Sequence, residues 1–245
     1  MRIGVVTSGN DHLDRRIESA LTGEASSMDE TAQVVLDADP TVVIAVGESA
    51  VIDLVRAGVS VPVLPVDVGP GVESVPAESI EPAIEALLAG EWTTNGRPLL
   101  SASVDGEHVA TALFDATLVT SEPARISEYA VKADGDSVAQ FRADAVVTAT
   151  PAGSRGYARD AGGPVVQPGA GVLAVVPVAP FAIHVDDWVL RGPVTLSVER
   201  DEDAVELLAD DREICSVEPH EPVEIAFDGV IEVVFLPSAR SFFEE

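Results

Sequence analysis

The chain has 245 residues, enough for one large or two modest domains, and 47% of them are hydrophobic, enough for a sizeable core. Forty-two acidic residues oppose fourteen basic ones, a net charge of −28, and only Lys132 among the bases is a lysine. That balance argues against nucleic acid as a partner, since no basic footprint is available to meet phosphates.

The acids are spread along the chain and do not form a tail. Their mutual repulsion would work against a compact state at low salt, whereas at molar salt the Debye length falls to about 3 Å and most of it is screened. A salt-adapted protein is the expectation, set against the alternative of an acidic surface for a basic partner. No apolar run approaches the ~18 residues of a membrane span, and the amino terminus lacks the shape of a signal peptide, so a cytoplasmic protein without membrane attachment is expected. The single cysteine, Cys215, excludes an intrachain disulfide and a multi-cysteine metal site.

In chain order, residues 2–7 (Arg-Ile-Gly-Val-Val-Thr) read as a strand, and a helix is expected over 13–21 after the polar loop 8–12. A second helix is expected over 32–38, ended by Asp39-Pro40. Residues 41–46, Thr-Val-Val-Ile-Ala-Val, are the continuous β-branched run of a strand buried on both faces. They open into a loop, Gly47-Glu48-Ser49-Ala50, before a helix over 51–57. Residues 61–66 repeat the buried-strand pattern, and 79–89 place Ile80, Ala83, Ile84, Leu87 and Leu88 at helical spacing. Alternating strands and helices predict an open α/β domain over residues 1–95.

Beyond Gly90 the pattern becomes β-rich. Strands are expected over 98–104, 108–120, 126–133, 137–141, 143–149, 173–178, 189–200, 204–208, 213–217, 223–226 and 231–236. Asp105-Gly106 and Asp134-Gly135 supply hairpin turns. A β-rich domain over 96–236 follows. Inside it, residues 148–164 (Thr-Ala-Thr-Pro-Ala-Gly-Ser-Arg-Gly-Tyr-Ala-Arg-Asp-Ala-Gly-Gly-Pro) are poor in large apolar side chains. Small residues there let backbone N–H groups come close to a bulky polar ligand, although an ordinary strand–turn–helix connection has the same composition.

Several chemistries are absent. His12, His108, His184 and His220 have no ligand spacing. There is no Gly-x-Ser-x-Gly elbow around Ser154 and no Walker-type Gly-x-x-x-x-Gly-Lys.

The order of motifs resembles the NAD kinases. It runs strand–Gly47-Glu48-Ser49–helix, Ala112-Leu-Phe-Asp115, Arg142-Ala-Asp144, the 148–164 stretch, and Arg240-Ser-Phe-Phe-Glu244. Its most specific part is 148–164, which is similar to the family's Thr-Pro-Thr-Gly-Ser-Thr-Ala-Tyr followed by Ala-Gly-Gly-Pro. The resemblance implies an N-terminal α/β domain to which the tail 237–245 returns, and a β-rich nucleotide-binding domain. It implies transfer of a phosphoryl group from ATP or polyphosphate, with Mg²⁺ accompanying ATP, to the adenosine ribose 2′-hydroxyl of NAD, giving NADP. It further implies a homo-oligomer, dimer or tetramer. With the charge excess, it describes a divergent, haloarchaeal-type member.

The site residues that the resemblance implies are Glu48 as catalytic group and, around NAD, Gly47, Ser49, Asp115, Asp144, Thr150, Arg155, Gly156, Tyr157 and Asp160. Three departures from the family pattern stand out. The family's Gly-Gly-Asp-Gly-Thr loop is Val46-Gly-Glu-Ser-Ala50 here, so its carboxylate sits one methylene further out, and displacements of ~1 Å can cost about a hundredfold in rate. Glu48 is therefore either the proton acceptor or a helix-start glutamate favoured by the macrodipole. Phe114-Asp115 replaces Asn-Glu. Arg155 replaces a small hydroxylated residue and suits either phosphate or a neighbouring carboxylate. Asp67 stands where the family has Asn, and Asp210-Asp211 where it has Asp-Gly. A paralogue that binds a nucleotide without transferring phosphate, as a sensor or subunit, is the alternative.

Overall fold

The structure is a computed structural model of the full chain. It describes residues 1–244 except 8, 10, 23, 24, 30, 123, 124, 183 and 202, and it leaves out the side chains of residues 11, 25 and 26. The chain divides into two compact units, Met1–Arg97 with Val230–Glu245, and Pro98–Gly229. Part of the predicted 8–12 loop lies outside the described residues.

In the first unit, parallel strands β1 (Arg2–Val6), β2 (Ala25–Asp29), β3 (Val42–Val46) and β4 (Val63–Val66) alternate with helices α1 (Asp11–Ala20), α2 (Ala32–Asp37) and α3 (Glu48–Arg56). The strand order is β2-β1-β3-β4, and the C-terminal half of β16 (Val223–Phe235) follows β4 in parallel through Val233 and Val63. The chain's end thus re-enters this unit at Val230, ahead of the tail expected from residue 237. Every residue of β3 is buried, as a two-sided apolar run demands. Ile17 of α1 and Ile84 and Leu87 of α4 (Ile80–Ala89) pack with Ile44, Leu64 and Val234 in one core. Strand β2, Ala-Ser-Ser-Met-Asp, carries no β signature in its sequence. Its backbone is recruited by pairing along β1, a tertiary effect that overrides propensity.

The second unit is an antiparallel sandwich. One sheet joins β8 (Ser127–Ala133), β9 (Asp136–Ala143), β13 (Val194–Arg200) and the first half of β16. The hairpin of β5 (Thr93–Val104) and β6 (Glu107–Ala112) is attached to it through β5. The other sheet runs β12 (Trp188–Leu190), β11 (Leu173–Val178), β10 (Ala145–Ala149), β7 (Asp115–Thr120), β14 (Val205–Ala209), β15 (Arg212–Val217). Tyr129, Phe141 and Leu196 from the first meet Leu118, Val146 and Leu207 from the second in the shared core. Asp105-Gly106 and Asp134-Gly135 have φ of 48°, 82°, 51° and 83°, the left-handed pair that a tight hairpin turn requires.

Four predicted strands are divided differently. The 108–120 strand is broken into β6 and β7 at Leu113-Phe114, and 189–200 is broken into β12 and β13 around Gly192-Pro193, where proline cannot donate to a ladder. The predicted 223–226 and 231–236 strands are the single strand β16. No helix among the described residues is long and apolar enough to cross a membrane.

Candidate functional site

In an open α/β sheet, ligands gather beyond the carboxyl ends of strands where the connection order reverses. With the order β2-β1-β3-β4, that point lies at the ends of β1 and β3. β3 ends at Val46, and Gly47 follows with φ 82° and ψ 164°, a conformation open essentially to glycine alone. Its N–H donates to the Val66 carbonyl at 2.8 Å, so the turn is tied to the end of β4. Glu48 and Ser49 are then the first two residues of α3, both exposed. The predicted loop over 47–50 is thus one glycine followed directly by helix, because Gly47 turns the chain within a single residue. Glu48 sits where the helix's unpaired N–H groups and dipole favour a negative charge. At the end of β1, the Thr7 hydroxyl donates to Asp14 and accepts from the Gly9 N–H.

Asp67, at the end of β4, takes φ 55°, a conformation that Asp and Asn tolerate, and its carboxylate accepts the Ala77 N–H at 3.0 Å. The following turn is closed by buried Ser74, whose hydroxyl accepts from Val68 and Gly69 and donates to the Gly69 carbonyl. Glu73 in that turn pairs with Arg97, which is 3% exposed.

In the second unit, the break between β6 and β7 is the centre of a dense hydrogen-bond network. The Asp210 carboxylate, from the β14–β15 turn, accepts three successive N–H groups: Leu113 at 2.9 Å, Phe114 at 2.7 Å and Asp115 at 3.2 Å. The Asp210 N–H donates back to the Asp115 carbonyl at 2.9 Å. From the other side, Thr150 donates its hydroxyl to the Leu113 carbonyl at 2.8 Å, and its N–H reaches the Phe114 carbonyl at 2.8 Å. The same hydroxyl accepts the Gly153 N–H at 3.0 Å. A β-carbon at Gly153 would lie 2.0 Å from the Phe114 carbonyl oxygen, so only glycine fits. Ser154, fully buried, donates to the Pro151 carbonyl at 2.7 Å and accepts the Val166 N–H at 2.9 Å, fastening both ends of the 148–166 segment. Ala158 and Val166 cover the outer faces of β10 and β11.

Three predicted polar side chains lie in or beside this framework. Asp115 is 7% exposed and accepts the Thr117 hydroxyl at 3.0 Å. Tyr157 begins the short helix α5 (Tyr157–Asp160) with about half of it exposed. Burial first, and then the Asp115 and Asp144 carboxylates, push the Tyr157 phenol above its ordinary value. The Tyr157 phenol therefore feels both carboxylates, Asp115 and Asp144 themselves lying toward opposite ends of the paired β7 and β10. Arg155 is half-buried at the end of the 3₁₀ turn Gly153–Arg155, while Gly156 and Asp160 are exposed. Thr150, expected at the ligand, is wholly buried and spends its hydroxyl on the turn. Further along, Arg142 stacks over the exposed Phe181 ring at 5.7 Å. They line a cavity of about 460 Å³ with His184 and Trp188. Among the described residues no group of three or more His, Cys, Asp or Glu side chains is arranged to hold a metal ion.

Asp210 was legible only as half of a motif. It lies 95 residues from Asp115, and an aspartate in a two-residue hairpin turn, left-handed at φ 52°, is the one local sign that its carboxylate is spoken for.

These features define a class: an open parallel α/β unit with a carboxylate at its switch point, and a β-sandwich unit whose glycine-relieved turns crowd a buried aspartate. The comparisons with known proteins agree. The family model for the ATP-NAD kinase C-terminal domain matches residues 114–239, just over half of the chain. The NAD kinase of Methanothermobacter thermautotrophicus is 28% identical over 78% of this chain and 69% of its own length. That of Methanosarcina acetivorans is 34% identical over 52% and 46%. In fold, the chain is similar to an NAD kinase from Archaeoglobus fulgidus solved with ATP (TM-score 0.77, 23% identity, 97% of this chain and 94% of that one). It is similar also to yeast NADH kinase solved with NADH (TM-score 0.79, 14% identity, 97% and 84%). The chain belongs to the NAD kinase family.

Proposed function

We propose that the protein transfers the γ-phosphoryl group of ATP to the adenosine ribose 2′-hydroxyl of NAD, giving NADP and ADP. The observation that carries this reading is the carboxylate of Glu48, delivered by an obligatory glycine turn to the head of α3 at the sheet's switch point. A carboxylate there is suited to accept the proton of the ribose hydroxyl as its oxygen bonds to the γ-phosphorus and the bond from that phosphorus to the β–γ bridging oxygen breaks. The longer glutamate reaches further than aspartate, and Gly47 leaves the approach to its backbone open.

In the second unit, Asp115, Asp144 and Tyr157 hold the nucleoside, with Arg155, Gly156 and Asp160 beside it and Thr150 acting through the turn it braces. Gly47 and Ser49 line the approach to Glu48. A Mg²⁺ ion bound to ATP supplies charge neutralisation at the phosphates. Such an ion would be held largely by phosphate and water, as this cation commonly is. Polyphosphate is a second candidate donor. The charge of −28 supports a salt-adapted, cytoplasmic protein of the haloarchaeal type, and family membership supports a homo-oligomer, dimer or tetramer.

The test is NADP formation by the purified protein in molar KCl with Mg-ATP, and separately with polyphosphate. NADP with ATP is expected; none with either donor refutes the reading. Lowering the KCl concentration is expected to lower the thermal midpoint as self-repulsion is unmasked.

A further inference from the structure

We infer that Asp210 is a positioning residue of the nucleoside site, acting through the Leu113–Asp115 turn; the inference rests on the kinase reading above. One carboxylate accepting three consecutive main-chain N–H groups is more than a two-residue hairpin needs for its own closure. Those N–H groups fall at the break between β6 and β7. Asp210 supplies a single charged acceptor there, and hydrogen bonds to an ionised acceptor are roughly twice as strong as neutral ones.

The arrangement grips Asp115 from both sides. Its N–H donates to the Asp210 carboxylate, and its carbonyl accepts the Asp210 N–H. The main chain of Asp115 is thus fixed at both groups, and its carboxylate accepts the Thr117 hydroxyl. The Phe114 carbonyl is at the same time aimed at the Thr150 N–H and lies against Gly153. Asp210 therefore sets the relation between the 113–115 turn and the 148–166 segment, whose Tyr157 senses the Asp115 charge.

The experiment compares wild type, Asp210→Ala, Asp210→Asn, Asp115→Ala and the Asp115→Ala/Asp210→Ala pair in molar KCl. NAD affinity is measured calorimetrically, NADP formation with Mg-ATP, and hydrogen exchange at the amides of 113–115. Asp210→Ala is expected to raise the KM and Kd for NAD by about tenfold or more with a much smaller change in kcat, the mark of lost ground-state positioning. The double variant is expected to be within about twofold of Asp115→Ala alone, because both changes remove one interaction. Asp210→Asn keeps one carbonyl acceptor and is expected to fall between wild type and Asp210→Ala. It also carries the comparison if the alanine variant does not fold. Unchanged NAD affinity in the Asp210 variants, full amide protection without the carboxylate, or strictly additive penalties overturns the inference. A wild type that binds NAD without phosphorylating it refutes the kinase reading and leaves the affinity comparison to decide on Asp210. One that neither binds nor phosphorylates NAD overturns both.

Discussion

The Gly47–Ser49 turn of the first unit and the Leu113–Asp115 turn of the second reach their shapes by opposite means. The first is one glycine in a conformation closed to other residues, one N–H tied to Val66, and then helix, with Glu48 in solvent. The second is held from three directions by Asp210, Thr150 and the close approach of Gly153, and the Asp115 carboxylate is buried. A group that must move a proton gains from an accessible place. Groups that must define where a nucleoside lies gain from rigidity. The expectation is a division: changes in the second turn alter folding and binding together, whereas changes at Glu48 alter rate alone.

The largest expected effect is at Gly153. A methyl group there meets the Phe114 carbonyl oxygen at 2.0 Å, so Gly153→Ala forces the Leu113–Asp115 turn away from the Gly153–Arg155 turn. It is expected to cost about 3 kcal/mol or more in denaturant unfolding and to weaken NAD binding in parallel. Retained stability would show that the turns are looser than described. Thr150→Val keeps shape but strips partners from the Leu113 carbonyl and the Gly153 N–H. A loss of about 2 kcal/mol is expected, since two buried groups are left unsatisfied.

The neighbouring threonine sharpens the comparison by changing sign. Thr148 is fully buried on β10, and its hydroxyl has no hydrogen-bond partner among the described residues. Thr148→Val is expected to stabilise by about 1 kcal/mol, seen as a raised thermal midpoint. The smallest effect lies away from both turns. Arg16, ahead of a backbone hydrogen bond, holds the half-buried Glu81 carboxyl at about 2, below its ordinary 4.5. A depressed carboxylate adds stability that is full above 4.5 and is lost as pH falls toward 2. Arg16→Ala is expected to raise the Glu81 titration midpoint, followed by NMR, toward the ordinary range, the backbone hydrogen bond to Glu81 keeping part of the depression.

Much of this was legible in the residues, for physical reasons. Val42–Val46 announced a two-sided strand because burial on both faces demands an unbroken apolar run, and Asp-Gly pairs announced the hairpins through their left-handed φ. Strand β2 was not legible, because its pairing with β1 and not its composition makes it a strand. The break at Leu113-Phe114 was not legible either. The run 108–120 alternates acceptably as one strand, and what interrupts it comes from Asp210 and Gly153, each distant in sequence. At the site, resemblance pointed to residue types at matching positions. Whether a side chain faces ligand or framework depends on burial, as at Thr150, which motif spacing does not encode.

The most direct test of this division of labour is Glu48→Gln, measured three ways in molar KCl: thermal midpoint, NAD affinity and NADP formation with Mg-ATP. Removing a proton acceptor while keeping its shape is expected to lower kcat by about a hundredfold or more, with stability and NAD affinity close to wild type. NADP formation at the wild-type rate by Glu48→Gln would contradict the assignment of this carboxylate as the proton acceptor.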